Sequence, residues 1–347
     1  MKVKGINYDI GTFYTPGHST REHLSFTDVG ADFSLIKDEL HCNAVRIYGQ
    51  DIDVLIRCSE LALRTGLDVW ISPRLINGDE AGTLHYIEKC AEKSEQLRKS
   101  YPERTIVFMV GCEFSIDTRC FVQGETIHER GRNLFRPVNF VRIVLKCSPT
   151  FKGAFSKFIA EAAQAARGVF NGKISYAAAL WEDVDWTVFD IVGVNYYRAS
   201  FNASRYAAGL KKFFTFNKPV AITEFGCCCY EGADRPGPAG YRIVDWTSTP
   251  PKHKKLYRRS EETQATYLTD LAALYDRENV YGAFIFTFID TTHPHSDDPM
   301  HDLDMASFSI VKTRTQHLQE SEHAKRWEPK LAYRAMSKYF GDDINIG

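Results

Sequence analysis

The chain has 347 residues, 44% of them hydrophobic and 25% charged, with a formal net charge of -1 and nine cysteines. Such a composition buries a large core, and the near-zero charge gives no electrostatic case for nucleic acid or an anionic membrane. The opening MKVKGINYDIG has no apolar run of signal-peptide length, no stretch approaches about 18 consecutive apolar residues, and no two cysteines stand in C-x2-C spacing, so reduced thiols in a cytoplasmic protein are expected.

Short apolar, β-rich runs alternate with longer helical patterns, the signature of βαβ units on a parallel sheet. Taken in order, the strands are expected at Val3 to Tyr8, Ala44 to Tyr48, Asp68 to Ser72, Thr105 to Val110, Ile174 to Leu180, Ile191 to Tyr196, Val220 to Thr223 and Ala283 to Phe288. They are nearly continuously apolar, as strands covered on both faces should be. Helical spacing falls between them at Phe33 to His41, Ile52 to Arg64, Gly82 to Ser100, Phe155 to Phe170, Ser204 to Phe214, Glu261 to Tyr275 and Glu328 to Tyr339. Only the fifth-to-sixth connection is short, with room for one helical turn. Eight strands with intervening helices are the count of a closed (β/α)8 TIM barrel, here over residues 1–347 as one catalytic domain. No linker or repeat divides the chain.

Two connections, residues 115–148 and 227–258, exceed the roughly 12–15 residues beyond which a loop inside a domain is usually functional. Both follow the carboxyl end of a strand, the face where barrel active sites lie. The second holds the basic stretch at Lys252, Lys254 and Lys255. Two glutamates stand directly after apolar strands: Glu113 after VFMVGC and Glu224 after VAIT. Strands four and seven lie nearly opposite in an eight-stranded ring, so both carboxylates can face one cavity. A buried carboxylate is costly unless paired or used. Acetal hydrolysis needs such a pair: one group protonates the leaving oxygen, and the other stabilises or attacks the oxocarbenium-like carbon. A separation of roughly 5–5.5 Å gives retention and roughly 6.5–9.5 Å inversion. Arg46, at the end of strand two, is the candidate cation beside Glu224, and Tyr196, at the end of strand six, the candidate hydroxyl donor.

At these residues the chain resembles the clan A retaining glycoside hydrolases. Ile222-Thr223-Glu224-Phe225-Gly226 is similar to that clan's nucleophile motif, Arg46 to its strand-two arginine, and Asn195-Tyr196-Tyr197 to its strand-six segment. Lys218-Pro219, Phe308-Ser309-Ile310-Val311 and Glu328-Pro329-Lys330-Leu331-Ala332-Tyr333 extend the likeness over nearly the whole chain. The resemblance implies Glu113 as acid/base, Glu224 as nucleophile, and no metal or organic cofactor. It also exposes two departures. The clan places an asparagine, which binds the sugar 2-hydroxyl, where this chain has Cys112, a poor donor. Another residue then supplies that contact, or the substrate lacks that hydroxyl, or the reaction is not ordinary hydrolysis. The tryptophan platform after strand eight is also missing, and Phe288 or Trp181 is the candidate replacement.

Tyr8 and Asp9 after strand one, with Asn7 beside them, and Asp290 after strand eight are further candidates to line the sugar subsite, and Glu182 is a reserve acid. Arg74 serves a subsite or an ion pair. The His293 to Asp304 loop is the densest His/Asp cluster, and reads as a polar rim rather than a metal site. No G-x-G-x-x-G, P-loop or G-x-S-x-G pattern is present. The expectation is a glycosidase acting on a small-molecule or oligosaccharide substrate. Its rivals are a barrel that uses the carboxylate pair for glycosyl transfer or chemistry on a non-sugar metabolite, and a non-catalytic carbohydrate-binding barrel.

Overall fold

In a computed structural model, residues 1–136, 149–314 and 327–342 are described. The eight strands are β1 (Val3–Asp9), β2 (Ala44–Gly49), β3 (Asp68–Pro73), β4 (Ile106–Cys112), β5 (Lys173–Ala177), β6 (Val192–Asn195), β7 (Val220–Phe225) and β8 (Gly282–Ile285). All neighbouring pairs are parallel, in the order β5-β4-β3-β2-β1-β8-β7-β6. The ring closes between β5 and β6: Ala178 bridges Val194 in parallel, with Ala178 N–H donating to Gly193 and Asn195 N–H to Ala178. A Cβ on Gly193 would stand 2.3 Å from the Tyr176 carbonyl oxygen, so only glycine lets the seam close this tightly. The expected TIM barrel is the fold observed.

Alternation sorts each strand into two layers. Ala44, Trp70, Val107, Met109, Ala177, Ala221 and Phe284 pack together inside the barrel. Residues of opposite parity, such as Val45, Ile47, Val69, Ile71 and Phe108, join the larger cluster between barrel and helices.

The helices are α1 (Phe26–Asp38), α2 (Ile52–Thr65), α3 (Glu80–Ser100), the short α4 (Phe114–Asp117), α5 (Ile127–Leu134), α6 (Pro149–Val169), α7 (Tyr206–Phe214), α8 (Glu261–Arg277) and α9 (Leu331–Asp342). Caps fix most starts: Ser25, Asp51, Asp79, Thr126 and Ser260 each accept an N–H of the first turn, and Gly66 ends α2 in the left-handed region at φ 97°. Ser25 starts α1 seven residues before the expected Phe33. The last helix begins three residues later than expected, because Glu328 precedes a proline and stays extended; Trp327–Pro329 pairs antiparallel with Val311–Thr313. The short link between β5 and β6 holds one 3-10 turn, Trp186–Val188. Of the expected 115–148 loop, residues 137–148 lie outside the described residues; the rest carries α4 and α5. The 227–258 segment contains a two-stranded ribbon, Val244–Asp245 against Lys252–His253. No helix among the described residues is long and apolar enough to cross a membrane.

Candidate active site

Both glutamate-bearing strands break register just before their carboxylates. On β4, Met109 pairs with Ser175 but Cys112 with Ala177, three steps against two. On β7, Ile222 pairs with Val194 and Glu224 with Asn195, while on the other side Ile222 pairs with Ala283 and Phe225 with Ile285. A bulge of this kind re-aims side chains at a barrel rim. Asn7 covers the opened backbone: its amide donates to the carbonyls of Thr223, Phe284 and Ile285 at 3.0, 3.4 and 3.2 Å. Glu113 then leaves the strand in the left-handed region, φ 39°, with its N–H on the Ala177 carbonyl at 3.0 Å.

Three donors converge on Glu224, which is 6% exposed. Arg46 Nη1 donates to Oε1 at 2.9 Å, Tyr197 Oη to Oε2 at 3.0 Å, and the Cys112 thiol lies 3.7 Å from Oε1. Arg46 is completely buried and is itself held by Asn7 Oδ1 at 2.9 Å and Ser72 Oγ at 3.1 Å. Glu113 has a different shell. The Asn195 amide donates to its Oε1 at 2.9 Å, and that amide is oriented by Thr223, whose hydroxyl donates to Asn195 Oδ1 at 2.8 Å. Burial pushes the Glu113 carboxyl up to about 8, the nearby Glu224 charge adds to the rise, and the Asn195 bond opposes it. The Cys112 thiol lies between the two shells, 3.5 Å from Asn195 Nδ2, and burial pushes its ionisation far above the ordinary thiol range. The structure thus joins Glu113, Asn195, Cys112, Glu224 and Arg46 in one network.

Other expected site residues lie elsewhere. Tyr196 is not the hydroxyl on Glu224: it belongs to the outer layer, donating to the Tyr206 carbonyl at 2.8 Å with its ring 4.3 Å from that of Tyr206. Alternation places Asn195 and Tyr197 inward and Tyr196 outward, a signal readable in VGVNYY. Tyr8 likewise faces outward, donating to Asp32 at 2.6 Å, and Phe288 stacks on it at 5.8 Å, so neither lines the mouth. Phe286 is the ring after β8 that does: it lies 6.1 Å from Tyr48 and 5.8 Å from Phe308, and Phe308 meets Tyr197 edge-on at 5.9 Å. The Phe286–Thr287 peptide is cis. Asp9 is buried and accepts from Gly11 N–H at 2.9 Å within its own loop.

Arg74 is committed to Asp117, Nε to Oδ2 at 2.9 Å, with its guanidinium 5.3 Å from the Tyr14 ring. Asp290 pairs with His293 at 2.8 Å; against the burial that would raise it, that imidazole holds its carboxyl low. The His293 ring meets Trp246, which is 53% exposed, edge-on at 5.4 Å. Trp181 donates its indole N–H to Ser115 Oγ at 3.0 Å and meets Phe135 edge-on at 5.4 Å. Glu182 accepts from Ser115 N–H, Ala179 N–H and Tyr176 Oη, each at 2.9 Å.

Within the His/Asp loop, His295, Asp302 and Asp304 bring possible ligand atoms within 4.8 Å of one another. Two cations already occupy that cluster. Arg259 reaches Asp302 at 3.0 Å and Asp304 at 2.8 Å, and the buried Lys330 reaches Asp304 at 2.7 Å. The donor set fits an ion-pair network rather than a cation site.

No protein-family model matches the chain, and no curated protein matches it. Solved structures do. A GH113 β-1,4-mannanase complex aligns with TM-score 0.56 at 14% identity, covering 98% of each chain. The GH113 β-mannanase of Alicyclobacillus acidocaldarius aligns at 0.58 and 13%, covering 98% of this chain and 97% of that one. A β-glucuronidase of Parabacteroides merdae aligns at 0.58 and 13%, covering 98% of this chain but 36% of its own. These neighbours are glycoside hydrolases with TIM-barrel folds. At such identities the likeness is one of fold.

Proposed function

We propose that residues 1–347 form one catalytic barrel that hydrolyses a β-glycosidic bond with retention, Glu224 acting as nucleophile and Glu113 as acid/base. The observation that carries this reading is the contrast between two carboxylates in one network. Glu224 collects a guanidinium, a phenol and a thiol, the surroundings of an anion. Glu113 has one neutral amide donor and a carboxyl pushed up to about 8 by burial, the surroundings of an acid that keeps its proton at neutrality. Opposed environments of this kind are how one site runs acid and nucleophile together.

In the first step a Glu224 oxygen attacks the anomeric carbon while Glu113 gives its proton to the departing oxygen. In the second, ionised Glu113 takes a proton from water, which attacks the same carbon and frees Glu224. Arg46, Tyr197 and Cys112 hold the nucleophile, and Asn195 holds the acid. Tyr48, Phe286 and Phe308 supply the aromatic wall that a tryptophan after strand eight would otherwise provide. The fold neighbours named as β-mannanases make β-1,4-linked manno-oligosaccharides the first substrate to try. We read the enzyme as cytoplasmic, working without a metal or organic cofactor.

The test is turnover of manno-oligosaccharides and a panel of aryl β-glycosides, glucuronides included, by wild type, Glu224→Ala and Glu113→Gln, with proton NMR of the first-formed anomer. Retained β product, lost in Glu224→Ala, supports the reading. An inverted product excludes Glu224 as nucleophile. Binding of sugars without turnover favours a carbohydrate-binding barrel.

A further inference from the structure

Three consecutive backbone N–H groups at the end of β4 are all taken by β5 and the loop behind it. Glu113 N–H donates to the Ala177 carbonyl at 3.0 Å, Phe114 N–H to Tyr176 Oη at 2.7 Å, and Ser115 N–H to Glu182 Oε1 at 2.9 Å. The other Glu182 oxygen accepts from Tyr176 Oη and from Ala179 N–H, both at 2.9 Å. Trp181 adds its indole N–H to Ser115 Oγ. A left-handed, non-glycine residue persists only where its surroundings over-determine it, and here the two residues following it are pinned one by one.

We infer that Glu182 and Tyr176 are positioning residues for Glu113, a carboxylate-phenol clamp that fixes its left-handed backbone and aims its carboxyl across the barrel mouth. The inference rests on the reading of Glu113 as acid/base. Burial pushes the Glu182 carboxyl up to about 7, and the bonds from Ser115, Ala179 and Tyr176 oppose the rise. Glu182 is close enough to act electrostatically as well. The groups facing Glu113 are Glu224 on β7, Glu182 behind β5, Asn195 on β6 and Arg74 after β3; the two glutamates raise its carboxyl, while Asn195 and Arg74 lower it. Removing the Glu182 charge therefore makes Glu113 a stronger acid.

The experiment is a carbon-13 NMR titration of glutamate carboxyls in wild type and Glu182→Gln, with Glu113→Gln assigning the Glu113 signal. It reads Glu113 without requiring any substrate. The Glu113 midpoint should fall in Glu182→Gln, because a like charge that raises it is removed. In parallel, kcat on whichever glycoside wild type cleaves should drop about 10- to 100-fold in Glu182→Gln and Tyr176→Phe with KM little changed, the cost of a misaimed acid. An unmoved Glu113 midpoint overturns the clamp whatever the activity. A rise in KM at constant kcat also overturns it, because Glu182 would then be touching substrate. Wild type that cleaves no glycoside, with the midpoint shift intact, defeats the glycosidase reading and leaves the clamp standing.

Discussion

Tyr197 and Tyr196 are adjacent, chemically identical and oppositely directed, so removing each hydroxyl in turn tests how the site is built. Tyr197 Oη donates to Glu224 at 3.0 Å, and its ring meets Phe308 edge-on at 5.9 Å. Tyr197→Phe keeps the ring and removes only a hydrogen bond to a charged group, worth about 1.5–3 kcal/mol. If that bond serves the transition state rather than the resting substrate complex, each ~1.36 kcal/mol is a factor of ten, and kcat falls about 10- to 150-fold. Folding should change little, since Arg46 still neutralises Glu224. Tyr196→Phe removes a 2.8 Å bond to the Tyr206 carbonyl within the outer layer. That neutral bond is worth about 0.5–1.5 kcal/mol, a Tm decrease of roughly 1–6 °C at most and no more than about a twofold change in kcat. Steady-state kinetics on an aryl glycoside, with thermal melts of both variants, separates the cases. A large kcat loss in Tyr196→Phe with none in Tyr197→Phe would refute the geometry from which the site is argued.

The Glu113 carboxyl, raised to about 8 mainly by burial, should set the alkaline limb of the rate profile near pH 8, because catalysis needs the protonated form; a limb that persists unchanged in Glu113→Gln would exclude this assignment. The same shift has a stability consequence. A raised folded-state value gives stability that is full below the ordinary 4.5 and is lost as pH rises through about 8. The Tm gain of Glu113→Gln over wild type should therefore be smallest in acid and largest above pH 8, as thermal melts across pH would record. Of the described cysteines Cys120 is the exposed one, so mass spectrometry after brief iodoacetamide treatment of native protein should find it modified ahead of Cys112 and Cys227 to Cys229, which react only on unfolding. At the charge cluster, Lys330→Met leaves Arg259 as the cation on Asp304 and should cost about 3–5 kcal/mol, the penalty for breaking a buried pair, whereas EDTA should leave Tm unchanged; a chelator-induced drop in Tm that Asp304→Asn abolishes would count against the ion-pair reading.

The barrel was legible because its strands are covered on both faces and so read as apolar runs; the Ser25 cap, which marks the start of α1 at Phe26, was not read. The glutamates, Arg46 and Asn195 were legible because a charge or amide at the end of such a run has nowhere else to point. The errors were errors of parity. Tyr8 and Tyr196 sit at the right strand ends but on the outward phase, and counting by twos from Asn7 and Asn195 would have excluded them. Phe288 is a different case: alternation stops with β8 at Ile285, so counting on from Phe284 cannot locate rings beyond it. The β4 bulge had one signal, the isolated Gly111, where a Cβ would stand 2.0 Å from the Phe114 ring. The β7 bulge had none, since VAITEF carries no residue that a regular strand would refuse.

Those bulges matter to the chemistry because they let two glutamates of like sequence setting receive unlike neighbours. Arg46 can neutralise one carboxylate well, and its partner is fixed by residues that are not acids. Asn7 and Ser72 hold the guanidinium from β1 and β3, which aims it at β7. Glu113, leaving β4 in the left-handed region, is met by the Asn195 amide instead. An amide offsets burial less than a guanidinium does, so burial still pushes the Glu113 carboxyl up to about 8. In the proposed mechanism the division of roles between the two glutamates therefore rests on backbone register and on Asn7, Ser72 and Thr223, uncharged side chains that no search for catalytic residue types would select.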